Sequence, residues 1–315
     1  MTFRSGFVSV VGRPNVGKST LVNKLVGSKV SIVSKRPQTT RTEVRGVRTT
    51  DTSQVVFLDT PGVHKPRTLL GERTNERSLT TLRGVDVVCF VIDASSPIGP
   101  GDRFVAARVV ESGTPAVLVV NKVDAASNAD VAQRLVGAAE LGDFEAYVPV
   151  SARSGDGLDA LVAEIEARLP EGPHYYPEGV VTDQPETFLV AELVREKLLA
   201  VTRDELPHSI AVTAEEMERR RGRATATPET ETETGTGTET ETGEPLLAFR
   251  VVIRVERESQ KGIVIGRGGS VLKRAGTEAR HELETLLGTR VHLETVVRVD
   301  PDWQRRPHSL ERLGL

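Results

Sequence analysis

Two regimes of apolar and polar positions follow one another along the chain. In the first half, short apolar runs recur: 7–12 (FVSVVG), 54–62 (QVVFLDTPG), 85–95 (VDVVCFVIDAS), 115–124 (PAVLVVNKVD) and 146–152 (AYVPVSA). Each leads through a loop into a stretch of helical period. Most runs are continuously apolar, which predicts strands covered on both faces in a mostly parallel sheet with helices on either side. The stretch Thr42–Thr50 alternates and predicts an antiparallel edge strand. Ligands of such open sheets bind beyond the C-terminal ends of the strands, which is where the polar residues of these runs gather.

The pattern breaks at 168–185, a linker rich in proline and glycine. After it, 186–207 reads as an amphipathic helix closed by Pro207, and 209–217 as a strand. A second strand begins at Leu246, a helix runs to Leu287, and 290–299 predicts a last strand. Between the first two strands, 222–245 is a Thr-Glu tract with too little apolar surface to offset the entropy of ordering, and a disordered insert is expected there.

Composition changes this picture in three places. A length of 315 residues suits two domains with separate cores. The net charge of −3 hides a basic module, because residues 246–315 carry 13 Lys/Arg against 9 Asp/Glu while 225–245 carries six Glu and no base. The one cysteine, Cys89, sits inside an apolar run and reads as a core residue in a reducing compartment. No leader pattern and no apolar stretch of the roughly 18–20 residues needed to cross a bilayer are present. The expectation is a cytoplasmic protein whose membrane contact, if any, is peripheral.

The first candidate chemistry is 12–19, GRPNVGKS, a G-x-x-x-x-G-K-S loop between a strand and a helix. Gly12 and Gly17 would let the loop with Arg13, Pro14, Asn15 and Val16 wrap so that its available N–H groups point at phosphate oxygens, and the following helix, which carries Thr20, would add its positive N-terminal end. Lys18 would reach the β and γ phosphates and Ser19 would ligate Mg²⁺. Asn121, Lys122, Val123 and Asp124 then choose the base. The Asp124 carboxylate offers two acceptors to the ring N–H and exocyclic amine of guanine, which adenine lacks on that edge. Asp59, Thr60, Pro61 and Gly62 complete the set, with Asp59 holding Mg²⁺ and the Gly62 N–H sensing the γ-phosphate. Ser151, Ala152 and Arg153 form a last loop, where the Ala152 N–H would meet guanine O6. The polar loop 36–46 (RPQTTRTEVRG) would bring a threonine onto Mg²⁺, Thr40 by preference and Thr39 otherwise. Val63 stands where many GTPases carry a water-orienting Gln, so slow unaided hydrolysis is expected.

The second Gly-rich turn, Gly266-Arg267-Gly268-Gly269, has three readings. It is not a full dinucleotide fingerprint, since Val271 takes the third glycine's place. A plain helix entry is the bland alternative. A G-x-x-G clamp on a single-stranded nucleic-acid backbone fits best, with Lys261, Lys273, Arg274 and Arg280 as a basic surround and Ile263 and Ile265 as an apolar floor for bases. Trp303 is expected to pack the last segment onto the second domain, with stacking on a base as the alternative, and His174-Tyr175-Tyr176 to pack between the domains. The six histidines show no metal-ligand spacing.

Taken together, GRPNVGKSTLVNKLVG, RPQTTR, DTPG, NKVD and VPVSARSGDGLDALV resemble the Era branch of translation-associated GTPases. ELVREKLL, ELPHSIAV, IVIGRGGSVLKRAGTEAR and VHLETVVRV resemble that family's KH module. The resemblance covers the chain apart from the Thr-Glu tract. It implies an α/β P-loop GTPase domain at 4–171, a linker at 172–185, a smaller α+β type II KH domain at 186–300 and a tail at 301–315. It also implies GTP/GDP and Mg²⁺ as ligands, stimulation by K⁺ held near Asn15, and Lys18, Asn15, Thr40, Asp59 and Gly62 as the catalytic group. The partners it implies are the single-stranded 3′ region of 16S rRNA and the small (30S) ribosomal subunit, with peripheral attachment to the cell membrane. The expected function is a GTP-hydrolysing switch in small-subunit assembly; the alternative is an RNA chaperone set by GTP or GDP with hydrolysis incidental. A small-molecule kinase is disfavoured by NKVD.

Overall fold

A computed structural model describes residues 2–34, 36, 38–202, 209–217, 220–221 and 245–315. The chain divides into two compact units, Met1–Pro185 with Asp302–Leu315, and Glu186–Pro301.

The first unit is a six-stranded sheet built from β1 (Arg4–Val11), β2 (Val44–Thr49), β3 (Ser53–Asp59), β4 (Val87–Asp93), β5 (Ala116–Asn121) and β6 (Ala146–Val150), ordered β2-β3-β1-β4-β5-β6. Only β2 runs antiparallel to its neighbour, as its alternating pattern predicts. Every residue of β3 and β5 is buried, which explains their unbroken apolar character. Cys89 lies in this core, and burial pushes its thiol up to about 12, so it is chemically quiet. Helices α1 (Lys18–Val26), α2 (Leu69–Thr80), α3 (Pro100–Ser112) and α4 (Asn128–Ala139) connect the strands, and α5 (Leu158–Glu166) follows β6.

The free edge of β2 is covered by the linker. Val47 N–H donates to Val181 O (2.8 Å), and Thr182 Oγ1 donates to Arg45 O (2.7 Å), which satisfies backbone groups an open edge would leave exposed. The His174-Tyr175-Tyr176 stretch packs on this unit. The His174 ring stacks on Phe3 at 4.0 Å, Tyr175 lies 5.0 Å from Phe7, and Gln54 Oε1 accepts from both tyrosine amides. The contacts seen for this stretch seal the first sheet.

A correction concerns Trp303. It does not pack the last segment onto the second domain. Residues 302–315, including the short helix α9 (Pro307–Arg312), belong to the first unit, with Trp303 fully buried there. Arg41 supplies a cation above its ring, a contact no local pattern announces.

The second unit contains α6 (Glu186–Val201), β7 (Ala211–Glu216), β8 (Arg220–Arg221), β9 (Pro245–Val255), α7 (Glu258–Ile265), α8 (Ser270–Leu287) and β10 (Arg290–Val299). β9 is central, parallel to β10 over ten residue pairs and antiparallel to β7 and β8. α6 and α8 cover the sheet through buried residues such as Leu193, Leu198, Ala279 and Leu283, and Lys197 pairs with Glu282 between the helices. Pro207 and most of the Thr-Glu tract lie outside the described residues. The helix α7 was not separately legible in the sequence.

Candidate functional site

The loop 12–17 leaves β1 and enters α1 at the C-terminal edge of the sheet. Its lysine is buried: Lys18 Nζ donates to Gly12 O (3.2 Å) and Arg13 O (3.0 Å). Burial lowers the Lys18 pKa to about 8, while the nearby Asp59 carboxylate works the other way. Asp59 ends β3 and is fully buried, and burial raises its pKa against the pull of Lys18. Neither of its carboxylate oxygens has a hydrogen-bond partner, although the hydroxyls of Ser19, Ser31 and Thr40 stand beside it. A buried orphan carboxylate is costly unless a cation completes it. Ser19 Oγ lies 3.0 Å from Thr40 Oγ1, so the two hydroxyls and Asp59 gather on one side of the loop. Thr39 Oγ1 instead donates to Arg36 O (2.7 Å), while Thr40 is the threonine whose hydroxyl meets Ser19.

The segment after Asp59 is pinned from several sides. Thr60 Oγ1 is buried and donates to Val10 O (2.8 Å), so this side chain is occupied with the strand rather than turned to a ligand. A Cβ on Gly62 would meet Pro14 N at 2.7 Å, so only glycine permits this approach of the two loops. Val63 turns into the core beside Leu82 and Phe90, and its N–H donates to Gly12 O (3.2 Å). Its side chain thus faces inward, and an apolar residue is what that position accepts. Asn75 of α2 grips the next residue twice, accepting from His64 N–H (3.2 Å) and donating to its carbonyl (2.5 Å). His64 Nδ1 lies 2.9 Å from Gly62 O, which requires the proton on that nitrogen.

The residues expected to read the base form a second cluster. Asn121 is buried and bridges two loops: its Nδ2 donates to Val16 O (2.8 Å) and its Oδ1 accepts from Ala152 N–H (3.0 Å). The Ala152 N–H expected to wait for guanine O6 is thus already engaged, because a buried amide oxygen needs a donor. Lys122, at φ 69°, sends Nζ to Asn15 O and to Asp93 Oδ2, both at 2.6 Å. Burial works against charge on Asp93, but hydrogen bonds from Lys122 and Ser95 keep its pKa below the usual carboxylate value. Asp124 is exposed, and one of its oxygens accepts from Ser151 Oγ (2.7 Å), which fixes the plane it presents. Arg153 is exposed at the rim.

Three residues here were missed in the sequence. Asp93, the last residue of β4, could have been found as a carboxylate closing a buried strand at the ligand edge. Asp102 had no such signal. It is fully buried at the start of α3, and accepts from Arg13 Nε (2.6 Å) and Gly99 N–H (2.8 Å). Arg13 is thereby turned toward α3. Asn23 of α1 likewise accepts from the amides of Val30 and Ser31, both at 2.9 Å, shaping the entry to the threonine loop.

In the second unit, α7 and α8 meet at residues 266–269. Gly268 and Gly269 have φ of 57° and 78° and nothing within 4 Å of a notional Cβ, so the turn is left-handed and open to approach. Arg267, Lys273 and Arg274 are exposed around it, as is Ile263. Val264 is fully buried and anchors α7, while Ile265 is half-buried. Lys261 pairs with Glu258 (3.4 Å) and Arg274 with Glu278 (2.9 Å). Arg280 stands apart: it pairs with Glu284 at 2.9 Å and lies about 16 Å along α8 from the turn at the helical rise per residue. Among the described residues no cluster of metal-ligating side chains occurs.

Fold and site together define a P-loop GTPase domain followed by a KH domain. Residues 7–122 match the family model described as 50S ribosome-binding GTPase, and 245–304 match the KH domain model. More specifically, the chain belongs to the GTPase Era family. It is 48% identical to the GTPase Era of Nocardioides sp. (strain ATCC BAA-499 / JS614), over 99% of this chain and 96% of that one. It is 47% identical to the GTPase Era of Mycobacterium tuberculosis (strain ATCC 25618 / H37Rv), over 99% of each. Among solved structures it is similar to an Era in complex with MgGDPNP and nucleotides 1506–1542 of 16S ribosomal RNA, with a TM-score of 0.88 and 38% identity over 99% of both chains. An Aquifex aeolicus Era variant bound to GDP·AlF4⁻ matches to the same degree.

Proposed function

We propose that this GTPase is a nucleotide-controlled switch that binds the 3′ region of 16S rRNA and assists assembly of the small ribosomal subunit. The observation that carries this reading is the open turn at 266–269, flanked by Arg267, Lys273 and Arg274, in a chain that also holds a guanine-type P-loop site. Backbone amides of such a turn and the N-terminal end of α8 suit phosphates, and Ile263 offers an apolar surface to unpaired bases. A relative of the same architecture binding a 16S rRNA segment supports it further.

In the GTPase domain, Ser19, Thr40 and Asp59 are the residues that would hold Mg²⁺, and the unpartnered Asp59 carboxylate fits that role. Mg²⁺ would supply neutralisation of phosphate charge. Lys18 neutralises the phosphates from the loop side, the Gly62 amide senses the γ-phosphate, and Asp124 with Ser151 selects guanine. The K⁺ dependence would come through Asn15, and any attachment to membrane would be peripheral, since no described helix is long and apolar enough to span one.

The test is RNA binding by the full chain. Replacing Arg267 and Gly268 with Asp should weaken binding of a single-stranded 16S 3′ oligoribonucleotide at least about tenfold, as expected when a clamp's charge is reversed, with GDP affinity unchanged. Unaltered RNA affinity would remove the assignment.

A further inference from the structure

The segment 302–315 touches two elements that border the nucleotide site. At one end, the Arg41 guanidinium carbon lies 5.3 Å from the centre of the Trp303 ring. Arg41 is buried and is peptide-bonded to Thr40, whose hydroxyl meets Ser19. At the other end, Arg73 Nη1 of α2 donates to Leu315 O (3.0 Å), Arg73 pairs with Glu311 (3.8 Å), and Arg77 Nη1 donates to Gly314 O (3.4 Å). These carbonyls follow the last turn of α9, where a helix leaves acceptors unsatisfied and cations are favoured. Leu310 and Leu315 are buried beneath them. The same α2 grips the Asp59–His64 segment, through Asn75 and through Ser78 Oγ, which donates to Pro61 O (2.9 Å). One short segment therefore touches both the threonine loop and the helix behind the second phosphate-facing loop.

A cation over a buried tryptophan face is a directional contact that strengthens when desolvated and is lost if the loop carrying the cation moves away. Simple core filling would explain a buried ring, but would not require a guanidinium against it beside the threonine of the site.

We propose that Trp303 is a positioning residue for GTP hydrolysis: its ring holds Arg41, and through it Thr40, over Ser19, and the segment that carries it links the threonine loop to α2. The inference rests on the reading of Thr40 as the threonine that faces the γ-phosphate side of the site. It also makes an optical handle, because Trp303 is the sole tryptophan of the chain.

The experiment compares tryptophan emission of the full chain with GDP and with Mg²⁺ and the β,γ-imido analogue of GTP. The expected result is a different spectrum in the two states, with the difference abolished by Arg41→Gln. In steady-state hydrolysis, Arg41→Gln should lower kcat about tenfold, the rate equivalent of a contact of this kind, and leave KM for GTP nearly unchanged. Trp303→Phe should recover most of kcat, whereas Trp303→Leu, which fills the space without a π face, should not. Unchanged GDP affinity in each variant reports an intact fold. Identical emission in both states, or a wild-type kcat in Arg41→Gln, overturns the proposal. A Thr40→Ala chain that hydrolyses GTP at the wild-type rate removes the reading of Thr40 and the inference with it. Loss of hydrolysis in Thr40→Ala beside a wild-type rate in Arg41→Gln removes the inference alone.

Discussion

At the residue scale, Asp124 carries the expectation about specificity and Lys18 the expectation about pH response. Ser151 holds one oxygen of Asp124 and leaves the carboxylate exposed to a base, so replacement by an amide should exchange one acceptor for a donor. Asp124→Asn is expected to weaken GTP binding by two orders of magnitude or more, about the cost of an unpaired polar group in a specific site, and to favour xanthine nucleotides, as competition with labelled XTP would measure. Lys18 has its pKa lowered to about 8 in the ligand-free protein. The folded state then binds fewer protons than the unfolded chain between that value and the ordinary lysine range, so stability rises with pH through this window and the penalty is full below it. Phosphates favour the charged amine, so GDP binding should take up a proton. Calorimetry in two buffers of different ionisation enthalpy should show more uptake at about pH 8.5 than at about pH 7. These two residues were legible because their chemistry is local to a motif. Asp102 and Trp303 were not, since each acts on a residue far away in the chain, Arg13 and Arg41 respectively.

At the scale of elements, the continuous apolar runs located all the parallel strands of the first sheet, and the alternation at 42–50 located its antiparallel edge. Burial on both faces leaves that trace in composition. The helix α7 left none, because its eight residues hold one fully buried side chain, Val264, and the stretch Ile263–Ile265 reads equally well as a strand end. The cap of α3 is an element-level device with a consequence. Asp102 joins Gly99 N–H to Arg13, so the start of this helix and the P-loop share one carboxylate. Asp102→Ala removes a cap and half of a partly buried ion pair, together about 2–3 kcal/mol. Hydrogen exchange should accelerate at the amides of Gly99, Gly101, Asp102 and Arg103 and in the P-loop, while α5, which shares none of these bonds, should keep its protection.

At the scale of the whole molecule, the organisation into a GTPase unit and a KH unit was readable because each carries its own glycine-rich turn. The placement of 302–315 with the first unit was not, since a segment of 14 residues following β10 in sequence gives no hint that it returns to the other unit. Val63, turned into the core, leaves that position without a side chain to orient water. Unaided turnover is therefore expected below about one per minute, as in GTPases that lack their partner's contribution, and to rise with K⁺ over Na⁺ in a phosphate-release assay. The pairing of β8 with β9 has a different outcome. Arg220 stands opposite Leu246 and Arg221 opposite Pro245, so the end of β8 and the start of β9 are paired neighbours in the sheet. Closing a longer loop costs only about 0.6 kcal/mol per doubling of length. The junction between β8 and β9 is thus a natural grafting port, where an affinity handle or a dye could be spliced, or residues trimmed away, without shifting the register of β9 against β7 or β10.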